Sequence, residues 1–345
     1  SGKILLRHLL VTSPEVSIVI PCLNEEKTIQ SLLDAVFHQT YPIEKMEVII
    51  ADGNSDDQTR MKIADFQNGH EGLEIRVLDN PVRRIPTGLN LAIRAARGQI
   101  ITRMDAHAIP ASDYVERSVA ALKEGLGDNV GGVIDVKPGA ENWIGRAISV
   151  AVAHPLGVGD AKYRWANTAG EADTVAFGTY YKSKVEEIGY YNEDLRINED
   201  YEFNSRIRAR GGKIWIDPKI RAVYFSRADL NGLVKQYFSY GFWKVKMLRK
   251  NPETLRWRQA LPPLFVFGIL MLLLLSGVLE LARILLLICL GAYLLILLTA
   301  SARVAVKRSD ISLVPGIPLA IMTMHFCWGS GFLWSLLNPK KDEGK

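Results

Sequence analysis

The stretch Val16-Ser17-Ile18-Val19-Ile20-Pro21-Cys22-Leu23-Asn24-Glu25-Glu26 decides the fold. A short apolar run, Val16–Ile20, is stopped by a proline and a polar turn, so it reads as a strand. Helical spacing follows over Glu26–Phe37, with Ile29, Leu32, Leu33 and Val36 on one face. The same unit then repeats. Val48–Ala51 is closed by Asp52-Gly53 and followed by helix-like Asp57–Phe66. Ile75–Leu78 precedes Thr87–Ala96, a helix ended by Gly98, and Ile100–Met104 is ended by Asp105. Strands alternating with helices predict an α/β fold with a mostly parallel sheet, in which ligands bind beyond the carboxyl ends of the strands. Those ends carry Asn24, Glu25, Asp52 and Asp105, and acidic groups there suit a metal or a ribose rather than a bare anion. The first turn lacks a glycine-rich fingerprint and no Walker sequence follows, which excludes a standard dinucleotide-binding dehydrogenase and a P-loop NTPase.

Composition divides the chain into two phases. With 345 residues, 48% apolar and 23% charged, it is no disordered chain. Cys22, Cys289 and Cys327 are too few and too scattered for a disulfide scaffold or a metal site. The mean hydropathy of +0.06 averages an ordinary soluble part and a greasy tail. Ala260–Leu279 has 20 residues without a charge, Ile284–Ala302 has 19, and Ile311–Asn338 has 28. About 20 apolar residues cross a bilayer as a helix, so spans are expected at about 260–279, 284–302 and 313–337. The third stretch holds Pro315, Gly316, Pro318, Gly329 and Gly331, and spanning, kinking and re-entry all stay open. Residues 14–230 are expected as a water-soluble domain, 231–258 as an interfacial basic segment, and 259–338 as the membrane domain. The opening run Leu5, Leu6, Leu9, Leu10, broken by Arg7 and His8, is too short for a signal peptide, which predicts a cytoplasmic domain. Lys244, Lys246, Arg249, Lys250, Arg256 and Arg258 against Glu253 account for the whole net charge of +5. A basic flank before the first span faces the cytoplasm, and Arg303, Lys307 and Arg308 after the hairpin agree with that. If the third stretch spans, Lys340, Lys341 and Lys345 fall on the far side, softened by Asp342 and Glu343. Basic charge collected at a membrane flank speaks for anionic lipid and against nucleic acid.

Read together, the turns resemble those of the inverting family-2 glycosyltransferases with a GT-A fold. The strand and Pro-x-x-Asn-Glu turn stand at Ser17–Glu25, an Asp-Gly turn at Ala51-Asp52-Gly53-Asn54-Ser55-Asp56-Asp57, an Asp-x-Asp-like element at Asp105-Ala106-His107, and Glu-Asp at Glu199-Asp200. Arg103-Met104-Asp105-Ala106-His107-Ala108 is similar to the succinoglycan-type glucosyltransferases. The resemblance covers about residues 14–245. It implies a GT-A nucleotide-sugar-binding domain followed by transmembrane helices. The enzyme would be a metal-dependent hexosyltransferase moving sugar from a nucleotide-sugar donor, UDP-linked by expectation, to a hydroxyl of a lipid-linked oligosaccharide in exopolysaccharide or cell-surface glycan synthesis. The setting would be the inner membrane, multi-pass, with the catalytic domain in the cytoplasm.

Residue by residue, the resemblance implies donor contacts at Pro21, Leu23, Glu25, Asp52, Arg83, Arg84, Asp105 and Ala106. It implies Mn²⁺ or Mg²⁺ at Asp105 and His107, with imidazole favouring Mn²⁺. Asp200 would be the general base, with Glu199 beside it. Gly178 and Thr179 match the stretch that shapes an acceptor site, and Gln236 and Trp243 stand at a phosphate and acceptor element. The residues also admit plainer readings. Asp52 suits a strand-ending turn, Glu25 a helix first-turn acid, and Arg83 and Arg84 solvated loop charges. Glu199, Asp200 and Glu202 before Arg206, Arg208 and Arg210 suit the helix dipole, and 236–243 an amphipathic interfacial helix. The segment His154–Arg164 is left without a role. Two other activities stay open: transfer to a bare polyprenyl phosphate, which needs no base, and a membrane-anchored nucleotide-binding regulator without catalysis.

Overall fold

A computed structural model describes residues 13–338. The Leu5–Leu10 run and the charges at 340–345 lie outside the described residues. The chain forms two compact units: residues up to Ile134 with Ala166–Tyr224, and Asp135–Trp165 with the residues from Phe225 onward.

In the first unit, β1 (Val16–Cys22) and β2 (Met46–Asp52) are parallel, in register from Val16 opposite Met46 to Cys22 opposite Asp52. Every residue of β2 and all of β1 except Pro21 are buried, as expected for strands covered on both faces. Helix α1 (Ile29–Phe37) returns from β1 with Ile29, Leu32, Leu33 and Val36 buried, and α2 (Thr59–Gly69) follows β2. Next come β3 (Glu74–Asp79), α3 (Ile85–Ala95) and β4 (Ile100–Arg103). Strand β3 pairs parallel with β2, and β4 pairs parallel with β1 on its other side. The chain thus steps outward from β1 and returns to flank it. That reversal opens a crevice at the carboxyl ends of β1 and β4, where α/β sheets hold ligands.

The remaining strands make the sheet mixed. They are β5 (Ala108–Pro110), β6 (Asn129–Lys137), β7 (Gly170–Glu171), β8 (Thr179–Tyr181) and β9 (Ile214–Phe225). Their order continues β4-β8-β6-β9-β5, with β7 also on β9, and β8 runs antiparallel to β4. Helices α4 (Tyr114–Lys123), α7 (Lys182–Ile188) and α8 (Glu199–Ala209) belong to this half.

The amino end of the sheet holds a fully buried carboxylate, Glu47. Ser17 Oγ donates to its Oε1 at 2.6 Å, the Arg97 backbone N–H donates to the same oxygen at 2.7 Å, and Arg76 Nη2 donates to Oε2 at 2.8 Å. Burial alone would push the Glu47 pKa up, but these donors outweigh it and hold the carboxyl below its ordinary value.

The second unit contains α5 (Trp143–Ala151), α6 (Pro155–Val158), α9 (Leu230–Lys250), α10 (Trp257–Leu275), α11 (Glu280–Arg308) and α12 (Leu313–Leu337). The last three are long and apolar enough to cross a membrane. Helix α12 runs unbroken through Pro318, and its glycines are contact points where other backbones approach. A Cβ at Gly329 would press on the Pro262 carbonyl oxygen at 2.6 Å, and one at Gly331 would collide with the Phe238 carbonyl. From the facing helix, a Cβ at Gly241 would collide with the Trp328 carbonyl. Small residues permit such close crossings within a bilayer. Gly331→Val should therefore cost at least about 1–3 kcal/mol through overpacking, read as a lowered thermal midpoint in detergent. Gly268→Ala should be neutral, because nothing lies within 4 Å of a Cβ there.

The basic segment before α10 needs a correction. Lys244 is not on a solvent or lipid face: it is 1% exposed, and its Nζ donates to the Thr254 carbonyl at 3.1 Å. Arg249 Nη2 donates to the Ser335 carbonyl at 3.1 Å, and Arg258 pairs with Asp160. Lys244, Arg249 and Arg258 of the expected cationic collar therefore help hold this unit together.

Candidate active site

Two turns at the ends of β1 and β2 are laced together. Asn24 N–H donates to Ser55 Oγ at 2.8 Å, and Asp56 N–H donates back to Asn24 Oδ1 at 3.0 Å. Glu25 N–H donates to Thr59 Oγ1 at 2.8 Å, and Gly53 N–H to the Cys22 carbonyl at 2.7 Å. Asn24 and Asn54 take positive φ of 55° and 54°, a conformation asparagine tolerates. Leu23 is 38% exposed and lies over Gly53, where a Cβ would stand 3.2 Å from Leu23 Cδ1. The pair makes a small apolar shelf at the strand ends.

Asp52 sits on this scaffold fully buried. Its Oδ1 accepts from Ser55 Oγ at 2.5 Å, and its Oδ2 accepts from Ser55 N–H at 3.1 Å and Arg60 Nε at 2.5 Å. Arg60 also bridges to Asp79 at 2.5 Å. The plainer reading of Asp52 as a turn residue is thus realised, and any donor contact there is made alongside Arg60. Ala51 is fully buried, and a Cβ on Gly88 of α3 would lie 3.3 Å from its methyl.

Arg83 and Arg84 lie in the loop after β3. Asn80 N–H donates to the Asp52 carbonyl at 2.8 Å, and Arg83 N–H donates to the Asn80 carbonyl at 3.0 Å, so the loop is tied to the same turn. Arg83 has φ 57° and reaches Asp56 at 3.8 Å, while Arg84 Nη1 donates to the Glu193 carbonyl at 3.3 Å.

At the end of β4, Ala106 is buried and Asp105 is partly exposed. His107 Nδ1 meets Glu25 Oε1 at 3.1 Å, and Thr28 Oγ1 donates to Glu25 Oε2 at 2.5 Å. In a neutral ring, an Nδ1–H directed at the carboxylate places the lone pair on Nε2. A carboxylate orienting the other ring nitrogen is what metal-binding histidines commonly have. Among the described residues no group of three or more His, Cys, Asp or Glu would hold a metal ion. An ion held at Asp105 and His107 would need ligand oxygens to complete its coordination.

Arg103 joins this corner to the start of α8. It is 4% exposed, and its Nη2 donates to Asp105 Oδ1 at 3.1 Å and to Glu199 Oε1 at 2.8 Å. Asn198, with φ 68°, turns the chain into α8, and Tyr201 N–H donates to Asp200 Oδ1 at 2.6 Å. Burial, with Glu199 adding repulsion, pushes the Asp200 pKa up to about 7 against the pull of Arg103 and the Tyr201 N–H. Glu202 is engaged elsewhere: Arg206 forks onto it at 2.8 and 2.9 Å and also donates to the carbonyls of Ile188, Gly189 and Tyr190. Of the three acids on the first turn, Glu199 and Glu202 are thus held by arginine side chains, and Asp200 accepts from the Tyr201 backbone.

Two expected acceptor residues have packing roles instead. Thr179 is fully buried and shares a 3.0 Å hydrogen bond with Thr102 across β4 and β8. A Cβ on Gly178 would collide with the Asn129 side chain. Gln236 and Trp243 lie on α9 in the second unit, where Gln236 Nε2 donates to Tyr240 Oη at 2.9 Å and Lys246 Nζ stands 5.4 Å from the Trp243 ring. The sequence reading missed Arg60 and the bridging role of Arg103. The signal for Arg103 was its place two residues before Asp105 at a strand end, where alternate residues share a side.

Residues 17–189 match the family model described as glycosyl transferase family 2. The chain is 31% identical to the succinoglycan biosynthesis protein ExoA of Rhizobium meliloti, covering 96% of this chain and 98% of that protein. It is 29% identical over 331 residues to a Methanococcus voltae dolichyl N-acetyl-alpha-D-glucosaminyl phosphate 3-beta-D-2,3-diacetamido-2,3-dideoxy-beta-D-glucuronosyltransferase, covering 93% of this chain and 97% of that one. Among solved structures, the mannosyltransferase PcManGT from Pyrobaculum calidifontis, in complex with GDP-Man and Mn²⁺, superposes with a TM-score of 0.63 at 18% identity. That match covers 94% of this chain and 88% of the other, and shows a shared GT-A-like fold.

Proposed function

The chain belongs to glycosyl transferase family 2, and on that premise we propose that it transfers a sugar, with inversion, from a nucleotide-sugar donor to a hydroxyl of a lipid-linked saccharide. The observation that carries this reading is the cluster Asp105–Arg103–Glu199–Asp200, in which one guanidinium ties a carboxylate at a strand end to the helix turn bearing a base of raised pKa. The laced turns at Asn24 and Ser55 preorganise the corner that would receive the nucleoside, with Leu23 as a shelf and Asp52 and Arg60 as its polar edge. Arg83 and Arg84 suit the donor diphosphate through their forked donors. Asp105 and His107 would hold Mn²⁺ or Mg²⁺ together with diphosphate oxygens, and the ion would neutralise the leaving group's charge.

Asp200 is the acceptor-side group. Partly buried and with a pKa near neutrality, its carboxylate is a stronger base than a solvated one and takes the acceptor hydroxyl proton as the new bond forms. A single displacement inverts the anomeric centre, so an α-linked donor yields a β-linked product. The acceptor class rests on the relatives: one is named for succinoglycan biosynthesis and one for transfer to a dolichyl-linked sugar phosphate. The three apolar helices would keep the enzyme in the membrane where such acceptors reside, here assigned to the inner membrane with the first unit on the cytoplasmic side.

The first test is donor binding. Full-length protein in detergent should bind UDP in calorimetry more tightly with Mn²⁺ than with EDTA, and should transfer label from UDP-glucose only with metal. Another nucleoside diphosphate binding in UDP's place would change the donor, and full transfer in EDTA would end the metal assignment. The profile of kcat/KM should show an acid limb with a midpoint near 7, set by Asp200. Below it the rate should fall about tenfold per pH unit, because only the ionised carboxylate accepts the proton. A flat profile from pH 5.5 to 8 would remove Asp200 from the role.

A further inference from the structure

We propose that Arg103 is the positioning residue of the reaction: it fixes the carboxylate at the end of β4 against the first turn of α8, so that Asp105 and Asp200 act in one frame. This rests on the transfer reaction proposed above. The ion pair from Arg103 to Glu199 joins these two motifs across 96 residues of chain.

The side chain has little freedom to do anything else. Its backbone is locked in the middle of the sheet, opposite Val19 of β1, and its N–H donates to the Gly178 carbonyl at 2.9 Å. Nε and Nη2 both donate to Asp105 Oδ1, at 3.2 and 3.1 Å, and Nη2 also reaches Glu199. The guanidinium carbon lies 5.9 Å from the centre of the Tyr191 ring. Tyr191 is itself held on several sides: it stacks on Phe203 of α8 at 4.5 Å, its hydroxyl lies 3.0 Å from that of Tyr180, and its N–H donates to Asn90 Oδ1 at 2.9 Å. The wall behind Arg103 is thus built from β8, α3 and α8, and the guanidinium projects into the cluster.

Arg103 Nη1 is buried and makes no hydrogen bond among the described residues. A buried donor left unused costs stability, and its presence beside three carboxylates points to a functional demand on charge placement. The helix it grips begins at Asn198, whose positive φ turns the chain into α8 next to Glu199. Lysine would supply the charge but, as a point donor on a flexible stem, would not span both carboxylates in fixed geometry.

The test compares Arg103→Met, Arg103→Lys, Glu199→Gln and the Arg103→Met/Glu199→Gln double variant, all full-length in detergent. Readouts are thermal midpoint, UDP affinity without acceptor, and kcat. A misplacement of about 1 Å costs on the order of 100-fold, so Arg103→Met should lose about that much kcat while UDP affinity changes far less. Arg103→Lys should stay folded, with a midpoint above that of Arg103→Met, yet regain no more than about a tenth of kcat. The double variant should lose less than the product of the two single losses, because the singles share the Arg103–Glu199 contact. Wild-type kcat in Arg103→Lys, or losses that multiply in the double, would overturn the proposal. Absence of transfer by the wild type would instead overturn the transfer reaction itself.

Discussion

Asp200→Asn should lower kcat by about 10²–10⁴-fold, the usual worth of a positioned general base, while leaving donor affinity nearly unchanged. The substitution is close to isosteric, and an asparagine Oδ1 can still accept from the Tyr201 N–H that now bonds Asp200 at 2.6 Å. What it cannot do is take a proton. It should also not destabilise the fold. Burial and Glu199 both oppose the ionised form of Asp200, so a neutral amide relieves that cost. Lost turnover with an equal or higher thermal midpoint separates a catalytic carboxylate from a structural one. Glu199→Gln should instead lower the midpoint, since it leaves the buried Arg103 without a charged partner on α8.

The largest effect on stability is expected far from the crevice. Glu47→Ala removes the acceptor for Ser17 Oγ, the Arg97 N–H and Arg76 at once. Breaking a buried charged cluster on one side costs about 3–5 kcal/mol. The lower end applies here, because Arg76 and Arg97 are partly exposed and can turn to water. Denaturant unfolding of the first unit should report it. The sign of the pH dependence follows from the direction of the shift. Glu47 is held below its ordinary value, so its contribution is present above the unfolded pKa of about 4.3 and is lost as the pH falls through the lower folded value. Glu47→Ala should therefore flatten the acid side of the stability curve.

The parallel half of the sheet was legible because each strand there is a short apolar run closed by a polar turn. The expected Val48–Ala51 and Ile100–Met104 correspond to Met46–Asp52 and Ile100–Arg103. Strands β5, β7 and β8 were not legible. They have two or three residues each, and only their partners make them strands. The turns bearing Asp52, Asp105 and Asp200 could be read because their spacing resembles a family. Arg103 gripping Glu199 could not, since no local pattern records a contact across 96 residues. Lys244 misled for a related reason. A lysine in a basic run reads as solvated, and only the carbonyl of Thr254 arriving beside it makes burial tolerable. The prolines and glycines of α12 left spanning, kinking and re-entry open, and in the structure Gly241, Gly329 and Gly331 are places where helices come close.

The measurement that bears most directly on the central claim is the structure of the product. Full-length protein in detergent, given an α-linked UDP-sugar, Mn²⁺ and a lipid-diphosphate-linked saccharide, should add one sugar by mass. The new linkage should be β by the anomeric coupling in its NMR spectrum, and the product should be missing with Asp200→Asn. An α linkage, or product formed only on bare polyprenyl phosphate and undiminished in Asp200→Asn, would contradict the account.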